Sequence, residues 1–266
     1  MAVRLGLWAR TRQLGRSLGQ GFVDSGQTAV YLRQLLRGNH GEPSIAVLPE
    51  GPRPATPPVL LLHGFLATRG SVHLLERRLT ERNHVVMTYQ LGLLQVRDIR
   101  DSAEFIASKV DSLVTQTGVE KIDVVAHSMG GLVALAYIKK HAGAAQKVRR
   151  LVLLGTPARG TWSALLGLMT APLGRGGRQL LPGSTFLRDL ERMPLPSGPE
   201  VTTVAGGRDW LAPSHTTHLS GARHLDLPTG HSGLLVDEAV AEAVAQILDA
   251  PPAASTPASR PANRSG

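Results

Sequence analysis

Three residues of this chain have the types needed to activate a hydroxyl group: Ser128, His231 and Asp209. A serine is a weak nucleophile by itself. It needs a base to take its proton, an acid to orient the base, and N–H groups to receive a developing oxyanion. Ser128 lies in "VVAHSMGGLVALAY" (124–137), where a short apolar run stops at His-Ser and two glycines lead into a helix-like run. A serine on a tight strand-to-helix turn requires small residues two positions away on each side. Ala126 and Gly130 occupy those positions. Met129 would open the helix, with its N–H facing the site at the positive end of the helix dipole. A second N–H must face the first. In "VLLLHGF" (59–65), Gly64 permits the close backbone approach and Phe65 is the natural donor. Taken singly, the Ser128 segment can also be a plain Ser-Gly-Gly connection, and the Gly64 segment reads equally as an ordinary strand-end glycine.

Asp209 follows the run "VTTVAGGR", and His231 follows "RHLDLPTG". A lone loop aspartate is usually a turn-former, and a lone loop histidine is usually solvated. The conjunction carries the chemistry: Ser128, Asp209 and His231 come in that order, each beyond a strand-like run. Other carboxylates fit less well. Asp226 sits inside a strand run, and Asp237 reads as the start of the final helix. His63 and His127 read as structural neighbours of the oxyanion loop and the serine turn rather than as second bases. His215 and His218 are three apart with no clear third ligand, so no metal site is expected. The serine chemistry calls for no metal and no organic cofactor.

These residues must be positioned by strands. "VLLLH" (59–63), "HVVMTYQ" (84–90), "IDVVAH" (122–127), "RLVLLG" (150–155), "VTTVAG" (201–206) and "RHLDLP" (223–228) are short β-branched or aliphatic runs. Helical patterns at 98–116, 129–141 and 237–250 lie between or after them. Such alternation predicts a mostly parallel α/β sheet with right-handed crossovers and chemistry at the carboxyl ends of the strands. The main domain is expected over 58–250. Before it come a basic amphipathic extension (1–48), helical over 5–37, and a Pro-rich linker (49–57). After it comes a disordered Ala/Pro/Ser tail (251–266). The insert at 161–199 is too long for a plain turn. It carries Trp162, Leu165, Leu166, Leu168 and Met169, and reads as a mobile apolar cap or as a static helical excursion.

Composition bounds the remaining options. The 266 residues are 42% apolar and 18% charged, enough for a sizeable core filled mostly by aliphatic side chains. The chain has no Cys, which excludes disulfides, thiolate metal sites and a Cys nucleophile. The net charge of +9 belongs mainly to the ends: residues 1–40 hold six arginines against Asp24, and the tail adds Arg260 and Arg264. A nucleic-acid groove across the body is therefore not expected. Residues 1–37 place Leu7, Trp8, Leu14, Leu18 and Phe22 beside arginines. That stretch could lie on an anionic membrane surface or pack against the body. No apolar run reaches the roughly 18 residues of a membrane span, and no classical signal-peptide core is seen. A cytoplasmic or membrane-peripheral location is the expectation.

The motifs "LLHGF", "AHSMGGLVA", "LLGTPARGT", "QLLPGSTFLRDL", "GGRDWLAP" and "GHSGLL" together resemble bacterial lipases and esterases of the α/β-hydrolase fold, over about residues 58–248. The resemblance implies Ser128 as nucleophile, Asp209 as acid and His231 as base, with Phe65 and Met129 as oxyanion donors. It implies hydrolysis of carboxylic esters, with lipid-like acyl esters as substrate. Ala126 replaces the first glycine of the G-x-S-x-G pattern, and Ala158 stands where related chains often carry a histidine. Two other functions remain open: an acyltransferase or thioesterase with the same three residues, and a non-catalytic membrane-binding protein.

Overall fold

The computed structural model describes residues 25–38, 56–89, 91, 96–164 and 174–251. Six strands form one sheet: β1 (Val59–Leu62), β2 (Val86–Thr88), β3 (Ile122–His127), β4 (Val148–Leu154), β5 (Glu200–Gly206) and β6 (Arg223–Leu227). Their order is β2-β1-β3-β4-β5-β6, and every described pairing is parallel. The sheet and its strand runs agree with the sequence reading to within about two residues at most ends.

The apolar runs are buried on both faces, as a parallel sheet between helix layers requires. Leu60, Leu62, Val124, Ala126, Leu151 and Leu153 pack to one side. The alternate residues Val59, Leu61, Val125, Val152 and Leu154 pack to the other. The first side is covered by α3 (Ile99–Thr117) and α4 (Met129–Lys140). The second is covered by α2 (His73–Thr80) and the last helix, α10 (Glu238–Asp249), which touch each other. Helix ends follow their capping residues. Asp98 accepts the Arg100 N–H at the start of α3, and Gly118 (φ 66°) closes it in the left-handed region.

The strand order reverses between β1 and β3. β1 leads through α2 to β2 on one side, while β3 leads through α4 to β4 on the other. Such a reversal opens a crevice at the carboxyl ends of the two central strands. The loops bearing Phe65 and Ser128 leave from those two ends.

Helix α1, residues 25–35, is docked on the body: Tyr31 packs against the second core face, and Thr68 Oγ1 donates to the Leu35 carbonyl at 3.0 Å. Packing against the body is thus the observed arrangement for this part of the extension. Leu7, Trp8, Leu14, Leu18 and Phe22 lie outside the described residues, as do the linker over 49–55 and the tail from 252. Within the long insert, α6 (Arg175–Gln179) and α7 (Thr185–Arg192) are tied down. Phe186, Leu187 and Leu190 are buried in the core, and the Gln179 amide pairs with the Ile99 N–H and the Asp98 carboxylate. This half covers the sheet flank rather than standing clear of it. Leu165, Leu166, Leu168 and Met169 fall outside the described residues.

At the opposite, amino end of the sheet, charged groups hold the last helix in place. Asp123 on β3 is fully buried and pairs with Arg149 at 2.5 Å. Burial pushes the Asp123 carboxyl up, and Arg149 opposes that shift. Arg150, 1% exposed, pairs with Glu200 and donates to the Leu248 and Ala250 carbonyls at the end of α10. Arg149 also donates to the Leu248 carbonyl, so replacing Arg150 by Met should cost the Ala250 carbonyl its donor, break the pair with Glu200 and lower the unfolding free energy by about 2 kcal/mol. Urea denaturation would measure this, and activity at low temperature should stay within about twofold of the parent because the cluster lies at the far end of the sheet.

Candidate active site

Ser128 joins β3 to α4 with φ 55° and ψ −126°, a backbone conformation that non-glycine residues rarely hold. Such a conformation costs on the order of 1–3 kcal/mol and persists only where the surroundings enforce it. The enforcement is visible. The Ser128 N–H donates to the Leu154 carbonyl at 2.8 Å, and the Gly131 N–H donates to the Ser128 carbonyl at 3.0 Å. A β-carbon at Gly130 would lie 2.5 Å from the His63 carbonyl oxygen, and one at Gly131 would overlap Thr156. The elbow therefore fits against the end of β1 at Gly130, and against Thr156 beyond β4 at Gly131, only because both residues are small. Ser128 occupies the N-cap position yet makes no side-chain cap bond, so its hydroxyl is not spent on the helix.

The loop after β1 approaches closely. A β-carbon at Gly64 would come 2.9 Å from Ser128 Cβ. Gly64, Phe65, Leu66, Ser128 and His231 line one cavity of about 230 Å³, together with Tyr31, Leu180 and Leu211. A larger cavity of about 520 Å³ lies between Lys139, Met193 and His218. Ser128 and His231 line the smaller one, so that is the candidate site.

Asp209 is buried on the loop after β5. One carboxylate oxygen accepts the backbone N–H groups of Leu211 and Ala212, at 2.9 and 2.8 Å. The other receives His231 Nδ1–H at 2.6 Å. Holding Nδ1 in this way fixes the imidazole tautomer and leaves Nε2 as the proton-accepting nitrogen. Gly155 makes room for the pair, since a β-carbon there would lie 3.1 Å from both Asp209 Oδ2 and His231 Nδ1. The structure thus brings Ser128 and His231 to one cavity and links His231 to Asp209. It also sets the helix-opening Met129 and the Phe65 loop beside Ser128.

The two neighbouring histidines are electrostatically quiet. Burial lowers His63 to about 4. His127 is pushed well below its ordinary value, first by burial and then by the neighbouring His231. A neutral His127 can donate from Nε2 to the His231 carbonyl at 3.2 Å, and its ring lies 4.5 Å from the His231 ring. His127 therefore buttresses His231, a contact that its sequence position beside Ser128 does not reveal. The rival carboxylates lie elsewhere: Asp226 is on β6 and Asp237 caps α10. His218 stacks on His224, with ring centroids 4.4 Å apart.

Thr161, Ser163 and Leu211 line one part of the cavity. Thr161 Oγ1 and Ser163 Oγ both donate to the Leu211 carbonyl, at 2.5 and 2.9 Å. This cross-link draws together two segments that carry Trp162 and Trp210, each 68% exposed.

Comparison with known proteins agrees with this architecture. A family model described as the alpha/beta hydrolase fold matches residues 57–184. The mature lipase BlEst2 of Bacillus licheniformis is similar over 75% of this chain and 94% of its own, with a TM-score of 0.60 and 20% identity. Lipase B of Aspergillus fumigatus is similar over 79% of this chain and 56% of its own, with a TM-score of 0.65 and 17% identity. A 2-hydroxy-6-oxo-6-phenylhexa-2,4-dienoate hydrolase from Rhodococcus is similar over 73% of this chain and 91% of its own, with a TM-score of 0.53 and 20% identity.

The lowered His63 has a consequence for stability. Its imidazole stays neutral in the fold down to pH about 4, while the unfolded chain protonates near 6.5. The unfolded state binds more protons between these values, so this contribution is full above pH 6.5 and declines as pH falls toward 4. A His63→Gln variant should show a flatter unfolding free energy between pH 5 and pH 7 than the parent, measured by urea titration at both values.

Proposed function

Taking as premise that this chain has the α/β-hydrolase fold, we propose that it is a serine hydrolase of carboxylic esters, a lipase or carboxylesterase working through Ser128, His231 and Asp209. The observation that carries the reading is the 2.6 Å Asp209–His231 bond beside a cavity that Ser128 shares with His231.

In the proposed reaction His231 Nε2 takes the Ser128 proton as Oγ attacks the ester carbonyl. Asp209 stabilises the imidazolium so formed. The backbone N–H groups of Phe65 and Met129 receive the oxyanion; each such donor is worth about 3–4 kcal/mol by comparison with serine proteases. The intermediate collapses, His231 returns the proton to the departing alcohol, and the acyl group stays on Ser128. Water, deprotonated by the same imidazole, then releases the acid. Tyr31, Phe65, Leu66, Leu180 and Leu211 give the cavity apolar walls suited to an acyl chain. Ser128→Ala should reduce turnover of p-nitrophenyl esters by about 10⁴-fold or more. A parent protein inactive on every chain length from acetate to palmitate would reject the reading.

Peripheral contact with an anionic lipid surface is proposed as part of this function. Trp162 and Trp210 are exposed, and each is next in sequence to residues that line the cavity, Thr161 and Ser163 for the first and Leu211 for the second. Helix α1 also turns Val30, Leu32 and Leu36 outward beside Arg33 and Arg37. Indole rings at a membrane interface with nearby cations favour such contact. A Trp162→Ser/Trp210→Ser double variant should bind phosphatidylglycerol vesicles about tenfold more weakly than the parent in co-sedimentation. Equal retention of the two proteins would count against these indoles as the contact.

A further inference from the structure

Helix α1 precedes the sheet by more than twenty residues, yet it reaches the loop that carries His231. Gln27 is the point of contact. Its side-chain oxygen accepts from Thr229 Oγ1 at 3.0 Å, and its nitrogen donates to Asp237 Oδ2 at 2.9 Å. Thr229 and Asp237 bracket His231, so one amide spans the whole base-bearing segment. The segment is shaped to admit it: a β-carbon at Gly233 would overlap both Thr229 Oγ1 and Gln27 Oε1.

Both partners are themselves anchored. Thr229 is buried, and its carbonyl accepts the Arg208 N–H at 3.0 Å, next to Asp209. Asp237 caps α10 with its other oxygen, which accepts from Ala239 N–H at 3.0 Å. At its far end α1 is fastened to the segment that follows Phe65. The Leu35 carbonyl receives Thr68 Oγ1, and the Gly38 carbonyl receives the Gly70 N–H, both at 3.0 Å. One short helix therefore bridges the oxyanion-side loop and the base-side loop.

We propose that Gln27 is a positioning residue for His231: through Thr229 and Asp237 it holds the base-bearing loop in register with Asp209 and the Phe65 loop. The proposal rests on the reading of His231 as the catalytic base. The need for such a hold is physical. His231 follows β6, which among the described residues pairs with β5 alone, and Gly230 just before it leaves the chain unusually free there. Asp209 fixes the ring nitrogen but not the loop backbone. A misplacement of about 1 Å at a reacting group can cost on the order of 100-fold in rate.

The test uses the full chain with three changes: Gln27→Leu, Gln27→Glu, and Gln27→Glu combined with Asp237→Asn. The leucine removes both hydrogen bonds at similar size. The glutamate sets a carboxylate against Asp237, and the double variant restores a donor–acceptor pair with the roles exchanged. Expected for Gln27→Leu and Gln27→Glu is a 10- to 100-fold fall in kcat on a p-nitrophenyl ester, with KM within about threefold and a displaced acid limb of the pH–rate profile. The double variant should recover at least half of the lost rate on a logarithmic scale. Proton NMR of the His231 Nδ1–H, read in the same proteins without substrate, should show at least about tenfold faster exchange in Gln27→Leu. Unchanged kcat, pH profile and exchange in a folded Gln27→Leu protein would overturn the proposal. A fall in kcat with no recovery in the double variant and no change in exchange would also overturn it, leaving a purely structural strap. If the parent protein hydrolyses no ester, the esterase reading fails on its own, and the exchange rate still decides whether Gln27 holds His231.

Discussion

The conformation of Ser128 constrains everything around it. A residue at φ 55° and ψ −126° is uphill, and the fold must supply the difference through contacts that cannot relax. Here the contacts come from the ends of β1 and β4. Leu154 at the end of β4 takes the Ser128 N–H, the His63 carbonyl just beyond β1 presses toward Gly130, and Gly64 closely approaches the Ser128 side chain. Small residues at 64, 130 and 131 are thus one requirement seen from three sides. Their absent side chains let the segments beyond β1, β3 and β4 meet around Ser128.

The electrostatics of the site follow from burial. Three histidines lie close together, and His231 is bonded to the Asp209 carboxylate. His63 and His127 are buried and resist protonation, so they add no positive charge beside His231. Asp209 accepts three hydrogen bonds, which satisfies a buried carboxylate and fixes its plane.

The strands, and the position of the candidate site residues beyond their ends, were legible in the sequence because both depend on local pattern. Runs such as "IDVVAH" and "RLVLLG" are apolar throughout, and each candidate stood directly beyond such a run. Small residues around Ser128 carried a steric meaning that needed no coordinates. The contacts that hold the base were not legible. Gln27 and Thr229 are 202 positions apart, and a polar residue on a helix read through its leucines gives no hint of a distant partner. His127 could be recognised as a neighbour of the serine, but its bond to the His231 carbonyl depends on how β3 and the β6 loop converge. Half of the insert was legible only as an alternative. Its apolar residues suit a cap as well as a flank, and Phe186, Leu187 and Leu190 resolve that choice for their own segment by entering the core.

The two halves of the site are secured by different physics. Ser128, Met129 and Phe65 come from loops after β3 and β1, interior strands whose loops are fixed by close packing and backbone bonds. Asp209 and His231 come from loops after β5 and β6, and side-chain hydrogen bonds join the close packing there. Close packing around a glycine has no cheap alternative, because any added atom must displace backbone. A side-chain hydrogen bond can be exchanged for water at a net cost of about 1 kcal/mol. The interior strands supply geometry to Ser128 through the backbone, while His231 gains further contacts from residues elsewhere in the chain: Asp209 from the loop after β5, His127 from β3, and Gln27, through Thr229, from the helix that precedes the sheet.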